Sequence, residues 1–147
     1  MLCAHHRLAL AGLFAVIAFL SDGAVADTST PALSYWLVEE WTIPAGGFVR
    51  TAVVTKANPT ESELRSVGEM LRKDTKGDKN AFIYVYDDAR AALNRRRTLS
   101  ETLTQREMQH HNRHRVGIYI RNRKTRADEF QITPSGLDGP EIVVRYG

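Results

Sequence analysis

The chain has 147 residues, of which 43% are hydrophobic and 25% are charged, and its formal net charge is +3. This length and composition fit one folded domain and exclude a disordered or collagen-like chain. The single cysteine excludes an intramolecular disulfide framework and a cysteine-based zinc finger.

The first 26 residues have the three parts of a secretory signal peptide. A short start that contains Arg7 precedes an uncharged apolar stretch over residues 8–20, and the small residues Ala24 and Ala26 follow. A permanent membrane helix needs about 20 apolar residues, so this stretch is too short for one. We predict cleavage after Ala26, export to a periplasmic or secreted location, and no permanent membrane span. The cleavage also removes Cys3, so the exported chain contains no cysteine.

The chain after the leader is predicted to contain a short lead and one domain. Residues 27–34 are polar and are predicted to be a flexible lead, and residues 35–147 are predicted to be a single α+β domain. Residues 35–43 and 49–55 are rich in β-forming side chains and flank a turn that contains proline and glycine. This pattern predicts a β-hairpin.

A helix and a buried strand are expected next. Thr60 and Glu63 have the spacing of a capping box, and an apolar stripe at helical spacing follows them, which predicts a helix over residues 61–75. Residues 81–86 are apolar at both odd and even positions. Such a pattern is typical of a strand that is covered on both faces.

The remaining chain is predicted to form further helices and three more strands. A short helix starts near Asp88, and another helix ends at about His114. Residues 116–121 and 129–133 predict an antiparallel pair, and residues 142–146 predict a last strand. The expected fold class is α+β, with one mixed, mainly antiparallel sheet of five to six strands and two or three helices packed on one face.

Several short patterns carry a resemblance to a known family. They are Asn58-Pro59-Thr60-Glu61, Leu64-Arg65, the run DTKGDKNAFIYVYDDARAA over residues 74–92, Tyr119-Ile120-Arg121-Asn122 and Phe130-Gln131-Ile132. Between Asn58 and Ile132 the chain resembles a family of small exported bacterial domains of unknown function. The resemblance implies a similar fold and gives no residue a catalytic role.

Basic residues concentrate between Arg90 and Arg126, where there are eleven of them and only two acidic residues. Ten of the eleven are arginine, whose planar guanidinium group suits bidentate contacts with phosphate or carboxylate. The predicted anion-binding residues are Arg106, Arg113, Arg115, Arg121, Arg123, Lys124 and Arg126. The alternative is that these side chains lie on several solvated faces, or pair with the acidic residues of the same fold.

A second candidate site combines histidines and aspartates. His110 and His114 are four residues apart in a predicted helix, so they share a helix face and can both reach one transition metal. Asp88, with Asp87 before it, follows the buried strand and is a further ligand if the fold brings it near. The alternative is that Asp88 is only the N-cap of the next helix and that the histidines pack or face solvent.

The leading hypothesis is an exported domain of uncharacterised, non-enzymatic role that binds an anionic envelope partner through an arginine-rich surface. The partner is an anionic lipid, lipopolysaccharide or an acidic protein; nucleic acid is not expected, and no cofactor is needed. The alternative is a metal-dependent hydrolase that uses the side chains of Asp87, Asp88, His110 and His114.

Overall fold

A six-stranded sheet forms the centre of the computed structural model, which describes residues 33–44, 46–100, 103–137 and 139–147. Its strands are β1 Tyr35–Thr42, β2 Phe48–Val54, β3 Asn80–Tyr86, β4 Arg115–Asn122, β5 Ala127–Ile132 and β6 Ile142–Arg145. They lie side by side in chain order; β2 and β3 are parallel, and the other neighbouring pairs are antiparallel. The predicted α+β class and the mixed, mainly antiparallel sheet are confirmed.

The helices are α1 Glu61–Asp74, α2 Ala89–Leu93 and α3 Gln105–His114, with a 3-10 turn at Arg97–Ser100 between α2 and α3. The predicted capping box of α1 is present, because Thr60 Oγ1 accepts from the Glu63 N–H and the Glu63 carboxylate accepts from the Thr60 N–H. A second capping box starts α3, and the sequence contains its signal as Thr104-Gln-Arg-Glu107.

The helices cover both faces of the sheet. Along the central strands, successive side chains point to opposite faces of the sheet. One set joins the core cluster of α1, and the other set joins the cluster of α2. The residues on the α1 face are Ala52, Val54, Ile83 and Val85; those on the α2 face are Val53, Tyr84 and Tyr86. The expectation that all helices pack on one face is therefore wrong, because α1 and α2 lie on opposite faces. The reason is that β3 is apolar on both sides, and each side needs its own cover.

The packed domain begins before the expected boundary at Tyr35. Leu33 is 8% exposed and belongs to the core cluster of α1, and the Ser34 carbonyl accepts from the Thr55 N–H at 2.9 Å. These two residues are the end of the predicted lead. The predicted signal peptide and the rest of the lead lie outside the described residues. Among the residues that the structure describes, no helix has the length and apolar character needed to cross a membrane.

A β-bulge in β1 decides which of its residues share a face. The register with β2 shifts between Leu37 and Glu39, which adds one residue to β1 at that point. Trp36 opposes Val53 and Trp41 opposes Val49, and these two positions of β2 lie on the same face. The two tryptophans therefore lie on the α2 face together, whereas strict alternation would place them on opposite faces.

The close approach of α1 to the sheet at Gly68 gives a stability prediction. A Cβ at Gly68 would overlap the Tyr146 hydroxyl and lie 2.8 Å from Phe130 Cδ1. We expect Gly68→Ala to lower the free energy of unfolding, measured by urea denaturation, by roughly 1–3 kcal/mol, because overpacking displaces its neighbours. The control is Gly77→Ala, whose Cβ meets nothing within 4 Å and should change stability by less than about 0.5 kcal/mol. Equal effects of the two substitutions would contradict the close approach.

Candidate functional site

The carboxyl end of β3 is where the predicted aspartates and histidines meet. Asp87 and Asp88 follow β3 directly, and α3 ends at His114, where β4 begins. Because β3 and β4 are antiparallel neighbours, the end of α3 lies beside the end of β3. The Asp87 N–H donates to the His114 carbonyl at 3.1 Å. This main-chain contact brings the last turns of α3 next to the two carboxylates.

Asp87 forms the more buried of two Asp–His pairs. Its side chain is 4% exposed, and its Oδ1 accepts from His114 Nδ1 at 2.8 Å. Its Oδ2 accepts from the N–H of Asn58, in the loop before α1, at 2.8 Å. Because a carboxylate oxygen accepts hydrogen bonds, His114 Nδ1 is assigned as the donor. Asp87 therefore fixes the orientation of His114 and joins three elements of the fold.

Asp88 forms the second pair and also begins α2. Its Oδ1 accepts from the Ala91 N–H at 2.8 Å, which is the N-cap contact, and from His110 Nε2 at 3.0 Å. Partial burial opposes ionisation, but the hydrogen bonds from Ala91 and His110 outweigh it and hold the pKa of Asp88 below its usual value. The rings of His110 and His114 have centroids 4.4 Å apart. The two Asp–His pairs therefore lie side by side.

These four side chains form two pairs rather than one ligand set. His110 contacts Asp88, and His114 contacts Asp87. In the described part of the chain, no group of three or more histidine, cysteine, aspartate or glutamate side chains is arranged to hold a metal ion. A catalytic zinc site takes three protein ligands. The metal site predicted from His110, His114 and Asp88 therefore stays a hypothesis. The described residues show no arrangement in which three side chains could bind one metal ion.

His111, between the two site histidines, points into the protein. It is 4% exposed; its Nδ1 contacts the Ala91 carbonyl at 3.0 Å, and its Nε2 contacts the Tyr86 hydroxyl at 3.3 Å. Because a carbonyl only accepts, Nδ1 is the donor, and Nε2 accepts from Tyr86. Burial lowers the pKa of His111, although the hydrogen bond to the Ala91 carbonyl works in the other direction. His111 is a structural residue of the α2 face.

The predicted anion-binding residues lie at two ends of the sheet. Next to the aspartates, α3 carries Arg106 and Arg113, and Arg115 begins β4. The end of β4 and the turn to β5 carry the other four, Arg121, Arg123, Lys124 and Arg126. Arg115 and Arg121 are six residues apart in β4, which separates these groups by roughly 20 Å at about 3.3 Å per residue. The seven side chains therefore do not form one surface.

At the far end of β4, the turn to β5 meets the carboxyl end of α1. The Arg123 guanidinium donates to the Lys76 carbonyl at 2.9 Å, and the Arg121 guanidinium donates to the Arg72 carbonyl at 3.1 Å. Arg72 is in the last turn of α1 and Lys76 follows its end, so both guanidinium groups lie at the negative end of the helix dipole. These contacts also bring lysines that the sequence analysis did not predict beside the turn. We call this surface the basic end; it contains Lys73, Lys76, Lys79, Arg121, Arg123, Lys124 and Arg126.

Few carboxylates compensate the charge of the basic end. Asp128 lies 3.8 Å from Arg121, and Asp78, just after α1, pairs with Arg50 at 2.8 Å. Glu69, which lines the same groove as Lys73, lies 3.9 Å from Arg72. Apart from Arg121 and Arg123, the basic end contains five cations. Among the described residues, no carboxylate is within ion-pair distance of these five, and all five are exposed: Lys73, Lys76, Lys79, Lys124 and Arg126. An excess of positive charge therefore stays at this end of the sheet.

Comparison of the chain with protein-family models, with curated proteins and with solved structures gave no match. The resemblance to the family of small exported bacterial domains therefore stays a prediction.

The burial of His111 gives a prediction about pH. Its pKa is below the ordinary value of 6.5, so the unfolded chain binds more protons than the folded protein as the pH falls through this region. We expect the free energy of unfolding of the wild type, from urea denaturation, to decrease between about pH 7 and about pH 5. The decrease should be smaller in His111→Gln, which removes the titrating group. Equal pH dependence in the two proteins would show that His111 is not held neutral by the fold.

Proposed function

We propose that the protein is an exported, non-enzymatic domain that binds the phosphate groups of an anionic membrane surface through its basic end. The observation that carries the proposal is the group of five exposed cations without a carboxylate partner in the described residues. Export, and a periplasmic or secreted location, depend on the signal-peptide pattern of the first 26 residues.

The chemistry of the basic end favours a lipid surface over an acidic protein. Two of its arginines are held by backbone carbonyls at and just after the end of α1, so the outer contacts are mostly lysines, whose ammonium groups are flexible point charges. Such charges adapt to the varied phosphate positions of a membrane. Phospholipid headgroups and the phosphates of lipopolysaccharide offer the same chemistry.

The strength of this interaction follows from the number of cations. Each lysine or arginine close to an anionic membrane contributes about 1 kcal/mol, so five contribute roughly 5 kcal/mol. Binding of this strength is reversible, and salt weakens it because the charges interact through solvent. The proposal therefore describes a weak, salt-dependent association rather than a permanent anchor.

The residues of the proposed surface differ from those of the sequence hypothesis. Arg106, Arg113 and Arg115 lie at the opposite end of β4 and have no part in it. Lys73 of α1, and Lys76 and Lys79 after it, take their place, although they lie outside the arginine-rich part of the sequence.

Vesicle sedimentation of the purified protein tests this function. We expect binding to vesicles of mixed phosphatidylglycerol and phosphatidylcholine, none to phosphatidylcholine alone, and a steep loss between about 0.05 M and about 0.5 M salt. The pair Lys76→Gln with Lys124→Gln should weaken binding about 30-fold, because about 2 kcal/mol is removed. The matched pair Arg65→Gln with Arg96→Gln removes the same charge outside the basic end and should weaken it less than about threefold.

Two further arms separate the possible partners. Vesicles that contain lipopolysaccharide show whether its phosphates bind more tightly than phospholipid headgroups do. Binding to polyglutamate but not to anionic vesicles would assign the basic end to an acidic protein and overturn the proposal. Equal losses in the two pairs of variants would also overturn it, because the cations of the basic end would then have no special part.

A further inference from the structure

A groove of about 550 Å³ lies between α2 and α3, at the opposite end of β4 from the basic end. Arg106 and His110 are four residues apart in α3 and share a helix face. The groove is lined by Arg90, Leu93, Asn94, Arg106, Glu107 and His110. Two arginines and one histidine from two helices therefore line the same groove.

The groove favours an anion although it contains one carboxylate. Glu107 accepts from Arg97 at 2.9 Å and from the Thr104 N–H at 2.8 Å, and these contacts lower its pKa to about 2. The negative charge of Glu107 is therefore compensated by Arg97. Within the described ranges, no carboxylate is at ion-pair distance from Arg90 or Arg106. The two guanidinium groups give the groove its net positive charge.

His110 supplies a third, oriented contact. Its Nε2 donates to Asp88 Oδ1 at 3.0 Å, and its side chain is 38% exposed. Its Nδ1 has no hydrogen-bond partner among the residues that the structure describes. The Asp88 carboxylate, itself fixed as the N-cap of α2, therefore holds the ring in one orientation and leaves Nδ1 for a ligand. Because Nε2 carries a proton, Nδ1 donates to a phosphate oxygen only in the protonated form of the ring.

Leu93 provides the apolar part of the same groove. Its side chain is 55% exposed, and it is one of the few large apolar side chains of the described chain that are mostly exposed. Small-molecule sites combine apolar contact surface with a few placed polar groups, and this groove has both. A ligand that fits it has an anionic head and an apolar group.

We propose that the groove binds a small organic phosphate monoester. Its phosphate contacts Arg90, Arg106 and His110, and its apolar group lies on Leu93. A phosphate has three free oxygens and suits two guanidinium groups and one imidazole, whereas a carboxylate has two oxygens. This site is separate from the basic end and does not depend on the proposed function.

Calorimetric titration of the purified protein with phenyl phosphate tests the proposal. We expect saturable binding that is tighter than that of inorganic phosphate, with a shift of the His110 imidazole signals in the NMR spectrum. Arg90→Gln and Arg106→Gln should each weaken binding about tenfold, because each removes a charge-assisted hydrogen bond. Leu93→Ser should reduce phenyl phosphate binding to the level of inorganic phosphate. The control Arg96→Gln lies outside the lining and should leave binding unchanged.

The variants and ligands separate the possible outcomes. Both arginines are exposed and have no ion pair in the described residues, so their variants should keep the circular dichroism spectrum of the wild type. No binding, or binding that Arg90→Gln and Arg106→Gln leave unchanged, would overturn the proposal. Equal binding of benzoate and phenyl phosphate would overturn the assignment to phosphate. If phenyl phosphate does not bind, the proposal that the basic end binds vesicles still stands. If vesicles do not bind, the proposal for the groove still stands.

Discussion

The two aspartates that follow β3 hold the second half of the fold in place. Asp87 accepts from the loop before α1 and from His114 in the last turn of α3, while Asp88 begins α2 and contacts His110. The contacts with Asn58, His110 and His114 join segments that are 22 to 29 residues apart in the sequence. Because the Asp87 carboxylate accepts from the loop before α1 and from α3 at the end of β3, its loss would affect three elements at once. The groove between α2 and α3 has its shape because both helices are fixed to this point.

The sheet separates the chemistry of the protein into two ends. Because β2 and β3 are parallel, their carboxyl ends meet at one edge of the structure, where the Asp–His pairs and the groove lie. The turn from β4 to β5 lies at the opposite end, beside the carboxyl end of α1. The negative end of the α1 dipole favours cations there. This accounts for the contacts of Arg121 and Arg123 with backbone carbonyls at and after the end of α1.

Local features of the fold could be predicted from the sequence because their causes are local. The capping box of Thr60 and Glu63 is a contact between residues three apart, and the apolar residues at both odd and even positions of β3 indicate that it is covered on both faces. The bulge in β1 could not be predicted, because it depends on pairing with β2. The same holds for the placement of the helices: local patterns identify an apolar face but not the side of the sheet that it meets.

The candidate site was predictable in its residues but not in its pairings. A spacing of four puts His110 and His114 on one helix face, and this is visible in the sequence. Their partners are 22 and 27 residues away, and each histidine meets a different aspartate. Only the antiparallel return of the chain from β3 to β4 decides this. The capping box of α3 is the opposite case, because its Thr-x-x-Glu pattern is local and could have been found.

The formal net charge of +3 understates how positive the two sites are. Several carboxylates are engaged in internal contacts, such as those of Asp87 and Asp88 with histidines and backbone N–H groups, and that of Asp128 with Tyr119. At the basic end and in the groove, by contrast, cations stay exposed without carboxylate partners in the described residues. An anion responds to the charges within about 10 Å at moderate salt rather than to the sum over the chain. The sequence is nearly balanced in charge, but many of its carboxylates are used in internal contacts. The protein therefore has two positive surfaces.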